Sequence, residues 1–169
     1  MVKILYPLQA SWLDYPDNSN LAVVVCFMGC DNGCYKCQNP DFQNPQYDNG
    51  TCLFTPEMLE DKLKEVCRRN HTNKVVLSGG DPLAYCNIDF TKEFLEKTSF
   101  DVCVYTGHDI EYVKEHFVKG FKFIKCGKFD FNNLRESVKT DDYIQFASPN
   151  QCLYDGEYNI LSENGIYKF

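Results

Sequence analysis

Three cysteines on one short stretch limit what this chain can fold around. Cys30, Cys34 and Cys37 follow the spacing C-x3-C-x2-C, so their thiolates can share a single inorganic centre. Gly29 and Gly33 lie in the same stretch and can relieve the backbone strain of turning three sulfurs inward. Iron–sulfur clusters are usually held by four cysteine thiolates. A loop that supplies three therefore predicts a cluster in which one iron is left free to bind another ligand.

A structural zinc ion is the alternative for this loop, with Cys26, Cys52 or a histidine as its fourth ligand. Zinc-binding cysteines usually occur as two similar pairs, and the sequence has no second pair. Cys26 lies in an apolar run and is expected to face the core. The histidines do not cluster in sequence with the cysteines and are expected to be surface or cap residues: His71, His108 and His116.

A glycine pair follows the next predicted strand, in Ser78-Gly79-Gly80-Asp81-Pro82. Two residues without side chains can let the backbone approach a small ligand closely. The alternative is a simple turn after a strand, in which Asp81 caps the turn that follows. Thr106-Gly107 ends another predicted strand and is open to the same two interpretations. Ligands of parallel α/β folds bind beyond the carboxyl ends of the strands, so we expect all three motifs to form one site.

The cysteine loop and the Gly-Gly-Asp-Pro motif together resemble the radical S-adenosylmethionine superfamily. Further segments make the chain similar to the activating proteins of anaerobic (class III) ribonucleotide reductase, from about Leu21 to about Tyr154. These segments are Asn39-Pro40-Asp41-Phe42, Tyr47-Asp48-Asn49-Gly50-Thr51, Tyr105-Thr106-Gly107, Gly127-Lys128-Phe129 and Ser148-Pro149-Asn150-Gln151.

The resemblance implies two cofactors and the residues that contact them. A [4Fe–4S] cluster is expected on Cys30, Cys34 and Cys37, with S-adenosylmethionine bound at its free iron. Lys36 stands where many superfamily members have an aromatic residue, so only the backbone of its segment is carried over. The expected S-adenosylmethionine contacts are Lys36, Cys37, Gln38, Gly79, Gly80, Asp81, Thr106 and Gly107. No side chain is assigned a catalytic acid or base role.

The resemblance also implies a reaction and its partners. The reduced cluster would cleave S-adenosylmethionine, and the resulting radical would take a hydrogen from a glycine of anaerobic ribonucleoside-triphosphate reductase. An external one-electron donor is needed. The nearest alternative is a small radical enzyme that acts on a metabolite, similar to the deazaguanine synthases, whose amino-terminal strand faintly resembles Tyr6-Pro7-Leu8-Gln9. A zinc-binding adaptor is the alternative from a different class.

Length and composition predict one globular domain over residues 1–169. The chain is 44% hydrophobic, and its ten cysteines lie partly in apolar runs, which argues against a secreted disulfide scaffold. A net charge of −7 argues against nucleic acid as a partner. No apolar run approaches the roughly 20 residues of a membrane span. We therefore expect a cytoplasmic protein that does not contact a membrane.

Apolar runs alternate with helical patterns through most of the chain. Strands are predicted over 21–27, 74–78, 101–105 and 121–126, with a polar loop over 38–54. Helices are predicted after the Thr55 cap, around Phe90 to Leu95, and over Ile110 to Phe117. Such alternation is typical of right-handed βαβ units.

The last part of the chain has a different pattern. Strands are predicted over 144–148, 151–154, 158–161 and 166–169, with hairpin turns at Asp155-Gly156 and Asn164-Gly165. The units are too few for an eight-fold barrel. The predicted fold class is therefore α/β: a partial (β/α) barrel with mostly parallel strands and a small antiparallel carboxy-terminal edge.

Overall fold

The computed structural model describes residues 1–18 and 21–169. It is a mixed α/β structure with a largely parallel central sheet and a small antiparallel sheet. The elements are, in chain order, β1 Val2–Leu5, β2 Gln9–Ser11, β3 Ala22–Phe27, β4 Thr51–Phe54, α1 Pro56–Arg69, β5 Lys74–Gly79, α2 Ile88–Lys97, β6 Asp101–Tyr105, α3 Ile110–Glu115, β7 Phe123–Cys126, β8 Val138–Lys139, β9 Tyr143–Gln145, β10 Cys152–Asp155 and β11 Ile166–Lys168.

The centre of the large sheet is the parallel run β3-β5-β6-β7. These are the predicted apolar strands, and each boundary lies within two residues of its prediction. A helix precedes each of β5, β6 and β7, so the predicted βαβ alternation is confirmed. The carboxyl ends of β3, β5 and β6 therefore lie side by side, which brings the three predicted motifs to one edge of the sheet.

Antiparallel strands complete the large sheet on both sides. On one side β1 pairs with β3 and also with β4, and on the other β10 pairs with β7. The described strands run in an open order from β4 to β10, and no pairing closes them into a barrel. The predicted loop over 38–54 is wrong at its end, because residues 51–54 form β4 and pair with residues 2–5.

The small sheet has the order β11-β9-β8, and with β10 it confirms an antiparallel carboxy-terminal part. The strand predicted over 158–161 is wrong, since Ile160 makes only a single bridge to Tyr154. Here the Asp155 carboxylate accepts hydrogen bonds from the backbone N–H groups of Glu157 and Asn159, which hold a turn instead of a strand.

The start of the first helix was predicted correctly, whereas the end of the third helix was not. Thr55 caps α1 as predicted, and its hydroxyl accepts a hydrogen bond from Met58 N at 3.2 Å. The third helix is shorter than predicted, because α3 ends at Glu115. Phe117 lies beyond it with a φ of 54° and a side chain that is 73% exposed. Within the described residues, no helix is both long enough and apolar enough to cross a bilayer.

The two faces of the large sheet are covered differently. Alternate strand residues such as Val25, Leu77 and Val104 pack against the helices in the main core. On the opposite face, which we call the inner face, Tyr15 packs against Val76 and the neighbouring strands. The small sheet contributes its own apolar cluster beside them. Both ends of the chain therefore cover the inner face and leave a cavity next to it.

Candidate functional site

A cavity of about 440 Å³ lies between the inner face and the small sheet. It extends to the edge where the carboxyl ends of β3, β5 and β6 meet, which is the usual ligand position in parallel α/β folds. The predicted site residues that line it are Cys30, Cys34, Cys37, Gln38, Gly79, Gly80, Asp81, Thr106 and Gly107. Three motifs that are far apart in the sequence are thus brought together around one cavity.

The cysteine loop, residues 29–37, supplies three thiols to this cavity. Cys30, Cys34 and Cys37 are all half-buried and in the free thiol state. Burial raises the pKa of the Cys30 thiol, while hydrogen bonds from the backbone and side chain of Asn32 oppose that rise. The Asn32 amide nitrogen lies 3.5 Å from Cys30 Sγ. The loop therefore presents sulfur ligands that are accessible to a group in the cavity.

Backbone hydrogen bonds fix the start of the cysteine loop. Gly29 N donates to Phe42 O at 2.8 Å, and Gly29 O accepts from Asp81 N at 2.8 Å. The buried Asn87 side chain donates to Met28 O at 3.0 Å and to Asp81 O at 2.8 Å. The backbone just before Cys30, the first predicted ligand, is therefore held by hydrogen bonds to the Gly-Gly-Asp-Pro turn and its neighbours.

Asp81 connects all three motifs through its side chain. Its Oδ2 accepts hydrogen bonds from Asn32 Nδ2 at 2.5 Å, Gly107 N at 2.8 Å and Thr106 Oγ1 at 3.0 Å. Its Oδ1 accepts from Leu83 N at 2.8 Å, which caps the following turn. Burial raises the pKa of Asp81, and the Gly107 and Leu83 N–H groups act against that rise. The turn-capping interpretation is thus correct, and the carboxylate also joins two other loops.

The glycine pair is required by the protein backbone itself. Gly79 has a φ of 103°, and a Cβ there would lie less than 3.0 Å from the backbone of Phe27. A Cβ on Gly80 would meet the carbonyl oxygens of Gly29 and Phe42 at less than 3.0 Å. Real Cβ atoms do not approach backbone this closely. The pair therefore lets the cysteine loop pack directly on the end of β5, whether or not a ligand is bound.

Lys36 is the one predicted contact that does not line the cavity. Its backbone has a φ of 51°, and its ammonium lies 4.3 Å from the centre of the Phe131 ring. The neighbouring Tyr35 ring is 69% exposed and meets Phe131 edge to face at 5.7 Å. A contact between the Lys36 backbone and a cofactor remains a prediction.

Sequence reasoning missed several residues of the cavity wall. Lys125 lies over the Tyr105 ring at 4.3 Å, and burial lowers its pKa from 10.5 to about 8. Tyr105 Oη donates to Asp14 O at 2.5 Å, which ties the amino-terminal segment to β6. Tyr105 and Lys125 lie on predicted strands, and the alternation of side chains along those strands could have indicated that both face the cavity. Asp14 gave no local signal, because its place depends on a contact across the chain.

Two other expectations need correction. His108 is neither a cap nor a surface residue, since its Nε2 lies 3.0 Å from Asp31 Oδ1 in the cysteine loop. Cys26 is half-buried on the inner face and lies outside the main core. Burial raises the pKa of the Cys26 thiol to about 11.

The residues around the cavity suit an iron–sulfur cluster in their chemistry. Three free thiols border it from one loop, and they are the ligand type that such clusters take. Asn32 Oδ1 is buried beside them and has no hydrogen-bond partner among the described residues. Among residues 1–18 and 21–169, no group of three His, Cys, Asp or Glu side chains is arranged to hold a single metal ion.

Comparison with known proteins agrees with this chemistry. A search of curated proteins gave no significant match. A family model described as a 4Fe-4S single cluster domain matches residues 20–149, which is most of the chain. The match includes the cysteine loop, the Gly-Gly-Asp-Pro turn and Thr106-Gly107. This family model is found in radical S-adenosylmethionine-type and related iron–sulfur proteins. The chain belongs to the family of 4Fe-4S single cluster domains.

Proposed function

We propose that the protein is an activating enzyme that generates a glycyl radical on anaerobic ribonucleoside-triphosphate reductase. One observation carries the proposal: three free cysteines border one cavity together with Gly79–Asp81 and Thr106-Gly107. Membership in a 4Fe-4S family supports the iron–sulfur centre. The resemblance of the Gly-Gly-Asp-Pro and carboxy-terminal segments supports S-adenosylmethionine as cofactor and the reductase as substrate.

Each part of the cavity wall has a role in this proposal. Cys30, Cys34 and Cys37 would hold the cluster. Bound there and reduced, the cluster would supply the single electron that reductive cleavage of S-adenosylmethionine requires. The backbone of Gly79-Gly80 and of Cys37-Gln38 borders the cavity and would orient the methionyl group.

Asp81 and Thr106 act indirectly in this scheme. The Asp81 carboxylate already accepts four protein hydrogen bonds, and one of them comes from the Thr106 hydroxyl. These two side chains therefore order the cavity wall. Gln38 and the backbone of the glycine pair are left to contact the cofactor.

A protein substrate fits the surface around the cavity. Leu13 lines the cavity and is 62% exposed, and the adjacent Trp12 is 61% exposed. Tyr35 adds an exposed ring on the cysteine loop itself. Exposed apolar side chains that flank a cavity are typical of protein contact sites. We propose that the strands form a partial barrel whose open side receives a glycine-bearing loop of the reductase. An external one-electron donor supplies the electron.

The decisive experiment is reconstitution of the reaction. The anaerobically prepared, reduced protein is mixed with S-adenosylmethionine and a class III reductase, and the sample is measured by electron paramagnetic resonance. We expect a glycyl radical on the reductase and an equivalent amount of 5′-deoxyadenosine. Cleavage without the reductase should be slow. A glycine-to-alanine reductase variant serves as the control, and a full signal with it would rule out the proposal.

Ligation is tested separately through iron and sulfide content. Alanine at Cys30, Cys34 or Cys37 should remove most of the iron, because each supplies one of three thiolates. Cys26→Ala and Cys52→Ala are matched controls and should keep it. Zinc without acid-labile sulfide in the wild-type protein would instead favour the adaptor interpretation. Loss of iron in Cys26→Ala but not in Cys30→Ala would show that the ligand register is wrong.

An enzyme that acts on a small molecule is the second candidate function. The volume of the cavity and one of its lining residues support it. About 440 Å³ lies within the range of small-molecule sites, and half-buried Lys125 faces that space. Rapid turnover on a metabolite, with no radical on any reductase, would select this alternative.

A further inference from the structure

Two neighbouring residues between the first two predicted ligands connect the cysteine loop to the rest of the molecule. Asn32 donates to Asp81 on the side of the cavity. Asp31 points the other way: its Oδ1 lies 3.0 Å from His108 Nε2, a close polar contact without hydrogen-bond geometry, and its Oδ2 accepts from Tyr85 N at 3.2 Å. The loop is therefore held from two sides, and His108 is the side-chain contact on the second side.

The position of His108 is itself closely fixed. Its backbone N donates to Thr106 Oγ1 at 3.1 Å, and its carbonyl accepts from Gly127 N at 2.9 Å. Its ring stacks on Tyr112 with ring centres 3.8 Å apart and planes 9° apart. His116 stacks on the same tyrosine at 4.0 Å.

Tyr112 is also fixed at its far end. Its hydroxyl donates to Leu83 O at 3.1 Å, in the turn that follows Asp81. The imidazole of His108 thus has little freedom to rotate, and it can hold a partner in one place. Its side chain is only 16% exposed, so water competes weakly for the contact with Asp31.

We propose that His108 is a positioning residue for the cysteine loop. By holding Asp31, it keeps the segment from Cys30 to Cys34 in its arrangement before any cluster is bound. Ligands that are already in place lose less conformational freedom when the centre assembles, and they release it more slowly. The inference depends on the proposed cluster site and does not depend on which substrate the enzyme acts on.

The first test uses the cluster-free chain and the rate at which its thiols are alkylated, resolved by peptide mass spectrometry. His108→Phe keeps a ring against Tyr112 and removes the polar contact. We expect Cys30 and Cys34 to react about fivefold faster, which corresponds to about 1 kcal/mol. His108→Gln can still reach Asp31 through its amide and should stay within about twofold of wild type.

The pair is then examined by a double-mutant cycle. Asp31→Ala also removes the hydrogen bond from Tyr85 N, so it should accelerate alkylation at least as much as His108→Phe. Adding His108→Phe to Asp31→Ala should change nothing further. His116→Phe alters the exposed end of the stack and removes the contact between His116 Nδ1 and Tyr112 O, but it leaves the contact with Asp31 in place and is the matched control. Equal rates for His108→Phe and wild type would overturn the proposal. So would equal impairment in His108→Gln and His108→Phe, or a full additional effect in the Asp31→Ala background.

The second test uses the iron-loaded protein and follows the loss of its visible absorbance in the presence of an iron chelator. His108→Phe should lose the cluster about fivefold faster than wild type, with His108→Gln and His116→Phe close to wild type. Unchanged rates of loss would contradict the proposal. Neither measurement involves S-adenosylmethionine or a reductase, so a failed activation assay leaves both results interpretable.

Discussion

Four hydrogen bonds converge on the carboxylate of Asp81, and they come from three parts of the chain. Asn32 belongs to the cysteine loop, Leu83 to the turn after β5, and Thr106 and Gly107 to the turn after β6. Hydrogen bonds to a buried charged acceptor are stronger than those between neutral groups. A single side chain therefore sets the spacing of three loops that would otherwise be connected only through the sheet.

Replacing Asp81 by Asn should weaken the site and the fold together. An amide has one acceptor oxygen, so its NH₂ group would face donors that now lack a partner. We expect the free energy of unfolding to fall by roughly 2–3 kcal/mol, measured by denaturant titration of the cluster-free protein. Iron content after reconstitution should fall as well. Asp109→Asn is the control, because Asp109 caps α3 with one exposed hydrogen bond. Wild-type stability in Asp81→Asn would contradict this role.

At the scale of residues, the sequence predicts which side chains belong to the site, but it does not predict which residues they contact. The cysteine spacing and the Gly-Gly-Asp-Pro turn are local patterns, and both border the cavity. Asn32 and His108 gave no signal, because their importance lies in contacts with residues that are distant in sequence. Sequence distance from the cysteines predicts a surface or cap position for His108, whereas the turn after β6 brings its ring beside Asp31 of the cysteine loop.

At the scale of elements, the end of β5 and the cysteine loop form one unit. Gly80 N donates to Phe27 O at 2.7 Å, and Asp81 N donates to Gly29 O at 2.8 Å. These bonds require the two backbones to touch. The glycine pair satisfies that requirement, and the loop after β3 is thereby placed on the loop after β5.

Gly80→Ala should therefore disturb the cysteine loop before it affects a cofactor. Its Cβ would press on the carbonyl oxygens of Gly29 and Phe42, and overpacking of this kind costs roughly 1–3 kcal/mol. We expect a lower melting temperature and less bound iron. Gly33→Ala is a useful comparison, because its Cβ meets nothing within 4 Å and only its φ of 59° is unfavourable. A Gly80→Ala protein with full iron and wild-type stability would refute the steric argument.

The sequence was informative for elements that pair locally or lie buried on both faces. The parallel strands β3, β5 and β6 each contain a run of consecutive apolar residues, whereas β7 is interrupted by Lys125. The order of the four strands follows from βαβ connections. The pairing of β1 with β4 was not visible, because it joins residues 2–5 to residues 51–54 inside a polar stretch. The turn at Asn164-Gly165 was correct, and both residues have positive φ.

For the whole molecule, the important asymmetry is between the two faces of the large sheet. Helices cover one face, while the inner face is covered by the amino-terminal segment and the small carboxy-terminal sheet. The cavity lies on the inner face, and half-buried Lys125 points into it from β7. The molecule therefore keeps a cation in a poorly hydrated position next to the proposed site.

That cation should make stability depend on pH in a specific direction. Burial lowers the pKa of Lys125 from 10.5 to about 8, so between these values the unfolded chain binds more protons than the folded one. Below pH 8 both states are protonated, and the cost of burial is constant. We expect the stability of wild type relative to Lys125→Met to rise by up to about 3 kcal/mol from pH 8 to 10.5. Exposed Lys122→Met should show no such change, and a flat difference for Lys125→Met would contradict the assignment.

Within the amino-terminal segment, Tyr15 should make a large contribution to the free energy of unfolding. Tyr15 is 2% exposed and packs edge to face on Phe123 at 5.8 Å, against the inner face. Its hydroxyl is buried without a hydrogen-bond partner among the described residues. Tyr15→Ala should therefore cost about 3–5 kcal/mol, because it leaves a cavity where both ends of the chain meet the sheet. Tyr15→Phe keeps the ring and removes an unsatisfied group, so it should be neutral or stabilise by about 1 kcal/mol. Denaturant titration of both variants measures the two effects, and a large loss in Tyr15→Phe would mean that the hydroxyl has a partner in solution.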